Sequence, residues 1–129
     1  MREEHLRVTA ALRGSFNLSS WRARSGQRYV VGVHPLSEPD LLDISEAVII
    51  AVRRDRDGVA SLVDVVAAGD EPVEGERRHW LSAVREGGAT EMHIHRLAED
   101  AEERHAIVAE LRNENVRPLT RELQPTAPR

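Results

Sequence analysis

Two β-branched runs, AVIIAVR (Ala47–Arg53) and VASLVDVVAA (Val59–Ala68), flank the five residues RDRDG (Arg54–Gly58). Runs of this length and composition favour extended backbone, and Asp-Gly supplies the positive φ that a tight reversal needs. The segment is therefore expected to form an antiparallel hairpin, and the rest of the chain must be arranged around it.

Upstream, Phe16, Leu18 and Trp21 fall roughly two residues apart. Ser25-Gly26 marks a turn, and RYVVGV (Arg28–Val33) is a β-branched run stopped by Pro35, so a second hairpin is expected over 14–36. The first fourteen residues are charged and compatible with either a helix or a strand. HPLSEPDLLD, with two prolines, reads as a connection. Downstream the period changes to helical. Glu76–Glu86 brings Trp80, Leu81 and Val84 to one side, and Gly87-Gly88 ends the helix. Thr90–Leu97 then alternates, with Met92 and Ile94 on one face and His93, His95 and Leu97 on the other. Acids at Glu99 and Asp100 open a last helix, with an apolar stripe of Ala101, His105, Val108 and Leu111 running to about Asn113. Pro118, Pro125 and Pro128 mark an irregular tail, disordered over 123–129.

The order hairpin, hairpin, helix, strand, helix indicates an α+β fold, with the helices grouped behind a mostly antiparallel sheet. Its core, 46–113, should hold three antiparallel strands, with the helix from Glu76 between the second and third. A barrel of many strands is excluded by that tally. A chain of 129 residues suits a single domain, here 1–122.

Composition narrows the chemistry. With no cysteine, a metal site would have to use histidine and carboxylate. No apolar run approaches the ~20 residues of a membrane span, and the start MREEHLRVTA has no signal-peptide core, so a cytoplasmic protein is expected. All eighteen basic residues are arginine, which fits GC-rich coding more than selection for guanidinium chemistry. Six of them fall in residues 1–34 against Glu3 and Glu4, and twelve against twenty acids in the remainder. The overall net charge is −4. That balance gives no general attraction to phosphate polymers, but it leaves room for an arginine-rich face near the N-terminus.

The histidine pair in EMHIH is the clearest metal candidate. His93 and His95 share a face, about 6.6 Å apart along a strand, and could hold a divalent ion if a carboxylate such as Glu91 converged on them. The plainer reading is that the rings pack on a half-buried strand, each with one nitrogen bonded to a carbonyl or water. His79 and His105 lie on the flanking helices. His105, on the apolar stripe, reads as a packed residue.

From Phe16 onward the chain resembles a divergent member of the GIY-YIG nuclease-like superfamily, of the bacterial kind with an extra strand pair ahead of the core. The resemblance rests on SFNLSSWRARSGQRYVVGVHPL (15–36), AVIIAVRRDRDG with VASLVDVVAA, GATEMHIHRLAEDAEERHAIVAELR (88–112) and NVRPLTRE (115–122). It implies a nuclease core in which two tyrosines on the first core hairpin, an arginine on the next helix and a metal-holding glutamate on the last helix act together on phosphorus. Carried over by position, the tyrosines fall near Val48 or Ile49 and near Val63, and the glutamate falls on Val108. Glu110 is about 200° further round the helix. The asparagine after the late proline becomes Thr120, and only the arginine survives, as Arg77 or Arg78. The resemblance therefore implies the scaffold without its chemistry.

Three functions follow as expectations. The first is a non-catalytic binding or regulatory module with a protein partner or self-association, using Trp21 as an exposed anchor, with Tyr29 beside it and Trp80 packed in the core. The second is a nucleic-acid-binding module, with Arg22, Arg24 and Arg28 around Trp21 and Tyr29. The third is a metal-dependent enzyme centred on His93 and His95.

Overall fold

The computed structural model describes residues 2–5, 18–37, 41, 44–69 and 74–123. Six strands, β1 (Arg2–His5), β2 (Leu18–Arg22), β3 (Arg28–Pro35), β4 (Ala47–Arg54), β5 (Ala60–Ala68) and β6 (Glu91–His95), form one sheet in the order β1-β2-β3-β6-β4-β5. Every neighbouring pair is antiparallel. Helix α1 (Glu74–Glu86) connects β5 to β6, and α2 (Ala101–Leu123) follows β6. The late strand β6 is thus central, pairing with β3 on one side and β4 on the other. The sheet curls until its edge strands β1 and β5 come into contact.

The turns follow their sequences. Gly26 (φ 93°) and Gly58 (φ 86°) take the left-handed positions of the two hairpins. Asp55 Oδ1 accepts from the backbone N–H groups of Asp57 and Val59, at 2.8 and 2.9 Å, which closes the second turn. Helix α1 ends in a Schellman motif: the Ala89 N–H bonds to the Val84 carbonyl and that of Gly88 (φ 99°) to the Arg85 carbonyl. Asp100 caps α2 by accepting the Glu103 N–H, while the Glu103 carboxylate reaches back to the Glu99 N–H.

Strand β4 explains the layering. Its residues Ala47–Val52 are buried on both faces, so each face needs its own cover. Val48, Ile50 and Val52 pack with Ile107, Val108 and Leu111 of α2. Ile49 and Ala51, on the other face, pack in the clusters that hold Leu81 and Val84 of α1. The helices therefore lie on opposite faces of the sheet, not together behind one.

Further expectations are resolved or corrected. Segment 2–5, which the sequence left open between helix and strand, is a strand, with Glu3 bonded to Ser19 and Arg54. The buried stripe of α2 is Arg104, Ile107, Val108 and Leu111, so Ala101 and His105 face outward. Arg104 can join an apolar stripe because its stem is hydrocarbon. Helix α2 also continues past Asn113 and through Pro118 to Leu123, since a proline removes one helical hydrogen bond without cancelling the others. Phe16 and the tail 124–129 lie outside the described residues. Leu97, expected on the histidine face of the strand, falls after β6 ends and is 68% exposed.

Candidate functional site

The register decides which side chains meet on the α2 face. His93 is opposite Ile50 and Val33, Glu91 opposite Val52, and Glu3 opposite Trp21, which is itself opposite Tyr29. Curling of the sheet brings β1 round to the end of β4, where Arg54 bridges two carboxylates. Its Nη2 lies 3.0 Å from Glu3 Oε2 and 2.7 Å from Glu91 Oε2, its Nη1 donates to Glu3 Oε1 and its Nε to Glu91 Oε1. Nη1 also reaches the Gly58 carbonyl at 2.8 Å, tying the cluster to the hairpin turn.

His93 sits at the centre and is fully buried. The Trp21 indole N–H can only donate, and it donates to His93 Nδ1 at 2.9 Å. Nδ1 must therefore be the acceptor, which leaves the ring proton on Nε2, where it is donated to Glu91 Oε2 at 2.6 Å. Ser19 Oγ donates to Glu3 Oε2 at 2.8 Å. The result is a closed network of Ser19, Glu3, Arg54, Glu91, His93 and Trp21 in which each group is matched to a partner.

The electrostatics agree with that assignment. Burial pushes the His93 pKa below its ordinary value, against the opposing pull of the Glu91 carboxylate, so the ring stays neutral. Burial alone would raise the Glu3 and Glu91 carboxyls. Hydrogen bonds and charge from Arg54, with Ser19 helping at Glu3 and His93 at Glu91, hold both below the usual carboxylate range. The hydrogen bonds that Arg54 donates to Glu91 and Glu3 raise its pKa above the ordinary value.

A metal could be offered Glu3, Glu91 and His93, whose donor atoms lie within 4.8 Å of one another. Histidine with two carboxylates is a reasonable donor set for a divalent ion. Arg54 already bonds all four carboxylate oxygens, however, and supplies the positive charge an ion would bring. The metal-holding position implied by the family resemblance is Val108, a buried aliphatic residue that offers no donor.

The other histidine does not join this group. His95 Nδ1 is 2.8 Å from the Val30 carbonyl, and its ring meets Tyr29 edge-on with centroids 5.4 Å apart. The Tyr29 hydroxyl donates to Glu110 Oε1, and Ser25 Oγ to Glu110 Oε2 at 2.9 Å, clasping α2 to the β2–β3 hairpin. His79 and His105 are exposed on their helices.

The anchor expectations are corrected. Trp21 is 1% exposed and Tyr29 is buried, whereas Trp80 is only half-buried and donates to Asp64 Oδ2 at 2.8 Å. Polar neighbours at Ser20 and Arg22 suggested an exposed Trp21, but strand alternation sends it to the opposite face. Arg22 and Arg28 are directly opposite one another, with Arg2 opposite Arg22 on β1, so three arginines form a cross-strand row. Arg24 is exposed in the adjoining turn. The row lies on the face opposite Trp21 and Tyr29, so the cations and aromatic rings do not form a shared platform. Arg77 Nη1 donates to the backbone carbonyls of Leu41 and Ile44, at 3.1 and 2.5 Å, and Arg78 is exposed.

Sequence reasoning placed Glu91 beside His93 but missed Glu3, Ser19 and Arg54. Glu3 lies in a charged segment with no periodicity, and Arg54 opens the turn sequence RDRDG, so neither carries a local signal of the cluster. Comparison with family models, with curated proteins and with solved structures gave no match in any of the three.

Proposed function

We propose that the protein is a GIY-YIG-like domain that acts by binding and not by cleaving phosphodiesters, with a protein partner or a second copy of itself as the favoured target. The observation that carries this reading is the character of the positions where nuclease chemistry would stand. Val48, Ile49 and Val108 are buried aliphatic residues. Val63 packs on the α1 face while Val108 packs on the α2 face, so the sheet lies between two positions that would have to cooperate. The order β6-β4-β5 with α1 between β5 and β6 supports the scaffold part of the reading. Arg77, the arginine best placed to survive, bonds to backbone carbonyls.

The test is incubation of purified protein with supercoiled plasmid and labelled single- and double-stranded DNA in Mg²⁺ and in Mn²⁺. No nicking above a mock preparation is expected. Metal-dependent cleavage that co-purifies with the protein would contradict the proposal.

A second reading, contact with a polyanion, is favoured by the row Arg2, Arg22 and Arg28. With Trp21 and Tyr29 on the other face, such contact would use phosphate alone and not base stacking. A mobility shift that weakens steeply with salt and is lost in Arg22→Ala/Arg28→Ala would favour it. No shift at low salt would remove it.

A further inference from the structure

We infer that Asp64 closes the outer edge of the sheet and keeps β5 from pairing with a second copy of this chain. The inference goes beyond the binding-module reading and holds whatever the domain binds. β5 is the last strand of the sheet, laddered to β4 on one side. The curled sheet brings β1 into contact with it, but among the described residues no ladder joins the two. The strand sequence ASLVDVVAA is rich in valine, has no proline, and carries Asp64 as its one charge. An unpaired edge of that composition is a template for another strand.

A bulge puts Asp64 in position. Val52 is opposite Leu62 and Ala51 opposite Asp64, so Val63 is the extra residue. Leu62 and Val65 both pack on the α2 face and Val63 on the α1 face, which leaves Asp64 out of the alternation. Its two carboxylate oxygens meet groups from opposite faces of the sheet. Oδ2 accepts from the Trp80 indole of α1 at 2.8 Å, and Oδ1 lies 3.5 Å from Arg112 Nε of α2. Since the sheet continues on the β4 side, the contact with Arg112 can close only round the outer edge of β5. The guanidinium, half exposed, is thus a strap over that edge. An incoming strand would have to displace it and take a carboxylate that is 35% exposed out of water. Bulges and charged side chains are the features by which edges resist pairing, and here they coincide at Val63 and Asp64.

Sedimentation velocity of Asp64→Asn, with the wild type as the reference at each concentration, tests this. Asparagine keeps an acceptor for Trp80 and removes the charge and the ion pair. The variant, with unchanged circular dichroism, should associate beyond the wild-type state with a dissociation constant on the order of 100 μM. Arg112→Ala, at a half-exposed position, should do so about tenfold more weakly, even if Asp64→Asn fails to fold. The chain has no cysteine, so single cysteines added to the associating variant report where the copies meet. Under mild oxidation at least one of Ser61→Cys, Val63→Cys and Val66→Cys should form a disulfide dimer. Gln27→Cys, in the β2–β3 turn, should not. Folded variants that associate no more than the wild type would overturn the inference. So would β5 cross-links of equal yield when the same cysteines are placed in the wild type, or association that cross-links at Gln27 and not along β5.

Discussion

At the scale of single residues, the cluster around Arg54 turns four ionisable side chains into an internal structural element. Glu3, Glu91 and Arg54 are mutually bonded and His93 is neutral, so the group titrates as part of the fold. For His93 the folded-state pKa lies below the ordinary 6.5. Its contribution to stability is therefore fully present above pH 6.5 and is lost as pH falls from there toward the folded value, because the unfolded chain takes up the proton first. Protonating Nδ1 would also set two donors, the imidazolium and the Trp21 indole, against each other. Urea midpoints measured between pH 8 and 5 should decline below about 6.5, and His93→Gln should flatten that decline. Glu3 and Glu91, both below their ordinary 4.5, act the same way in a lower window, with stability lost as pH falls through 4.5. Arg54→Met leaves two carboxylates close together without their counter-charge. With the guanidinium about a quarter exposed, a loss of about 2–3 kcal/mol is expected by chemical denaturation. An unchanged midpoint would show that the bridge contributes nothing net. Little of this could be read from the sequence. His93 and Glu91 announce themselves by spacing, but Glu3 and Arg54 are about fifty positions apart and meet only because the sheet curls.

Elements were more legible, because turns and caps depend on local chemistry. The Asp-Gly turn, the Ser-Gly turn and the glycine stop of α1 all stand where their residues placed them. Two glycines at opposite ends of α1 should respond with opposite sign. Gly88 has φ 99°, and a Cβ there would meet Arg53 Cδ at 3.2 Å, so Gly88→Ala should cost about 1–2 kcal/mol. Gly75 lies in the first turn with open space around it, so Gly75→Ala should be neutral or stabilise by up to about 1 kcal/mol. Thermal melts of the two variants check this. The orientation of α2 was less legible. Stripes through Arg104 and through His105 share Val108 and Leu111, and polarity alone favours histidine over arginine. Burial of the arginine stem decides the other way.

At the scale of the whole molecule, the sheet is the organising object. An apolar β4, covered on both faces, requires two helix layers, and alternation along it separates two regions of the molecule. The α2 face carries the internally paired polar cluster and the Tyr29–Glu110 clasp; the α1 face carries Trp80 and its bond to Asp64. Strand order was hard to foresee because the late strand β6 inserts between the two hairpins, and no local signal encodes that pairing. Among the described residues, no helix is long and apolar enough to cross a membrane. Among the described residues, the side chains best suited to hold a metal, Glu3, Glu91 and His93, are bound to Arg54, Ser19, Trp21 and one another. Calorimetric titration with Mn²⁺ at pH 7.5 tests this most directly. No saturable heat is expected with the wild-type protein, and weak binding is expected in Arg54→Met, where Glu3, Glu91 and His93 lose the cation that joins them. Tight binding to the wild type that disappears in Glu91→Gln would contradict it and make this cluster a metal centre.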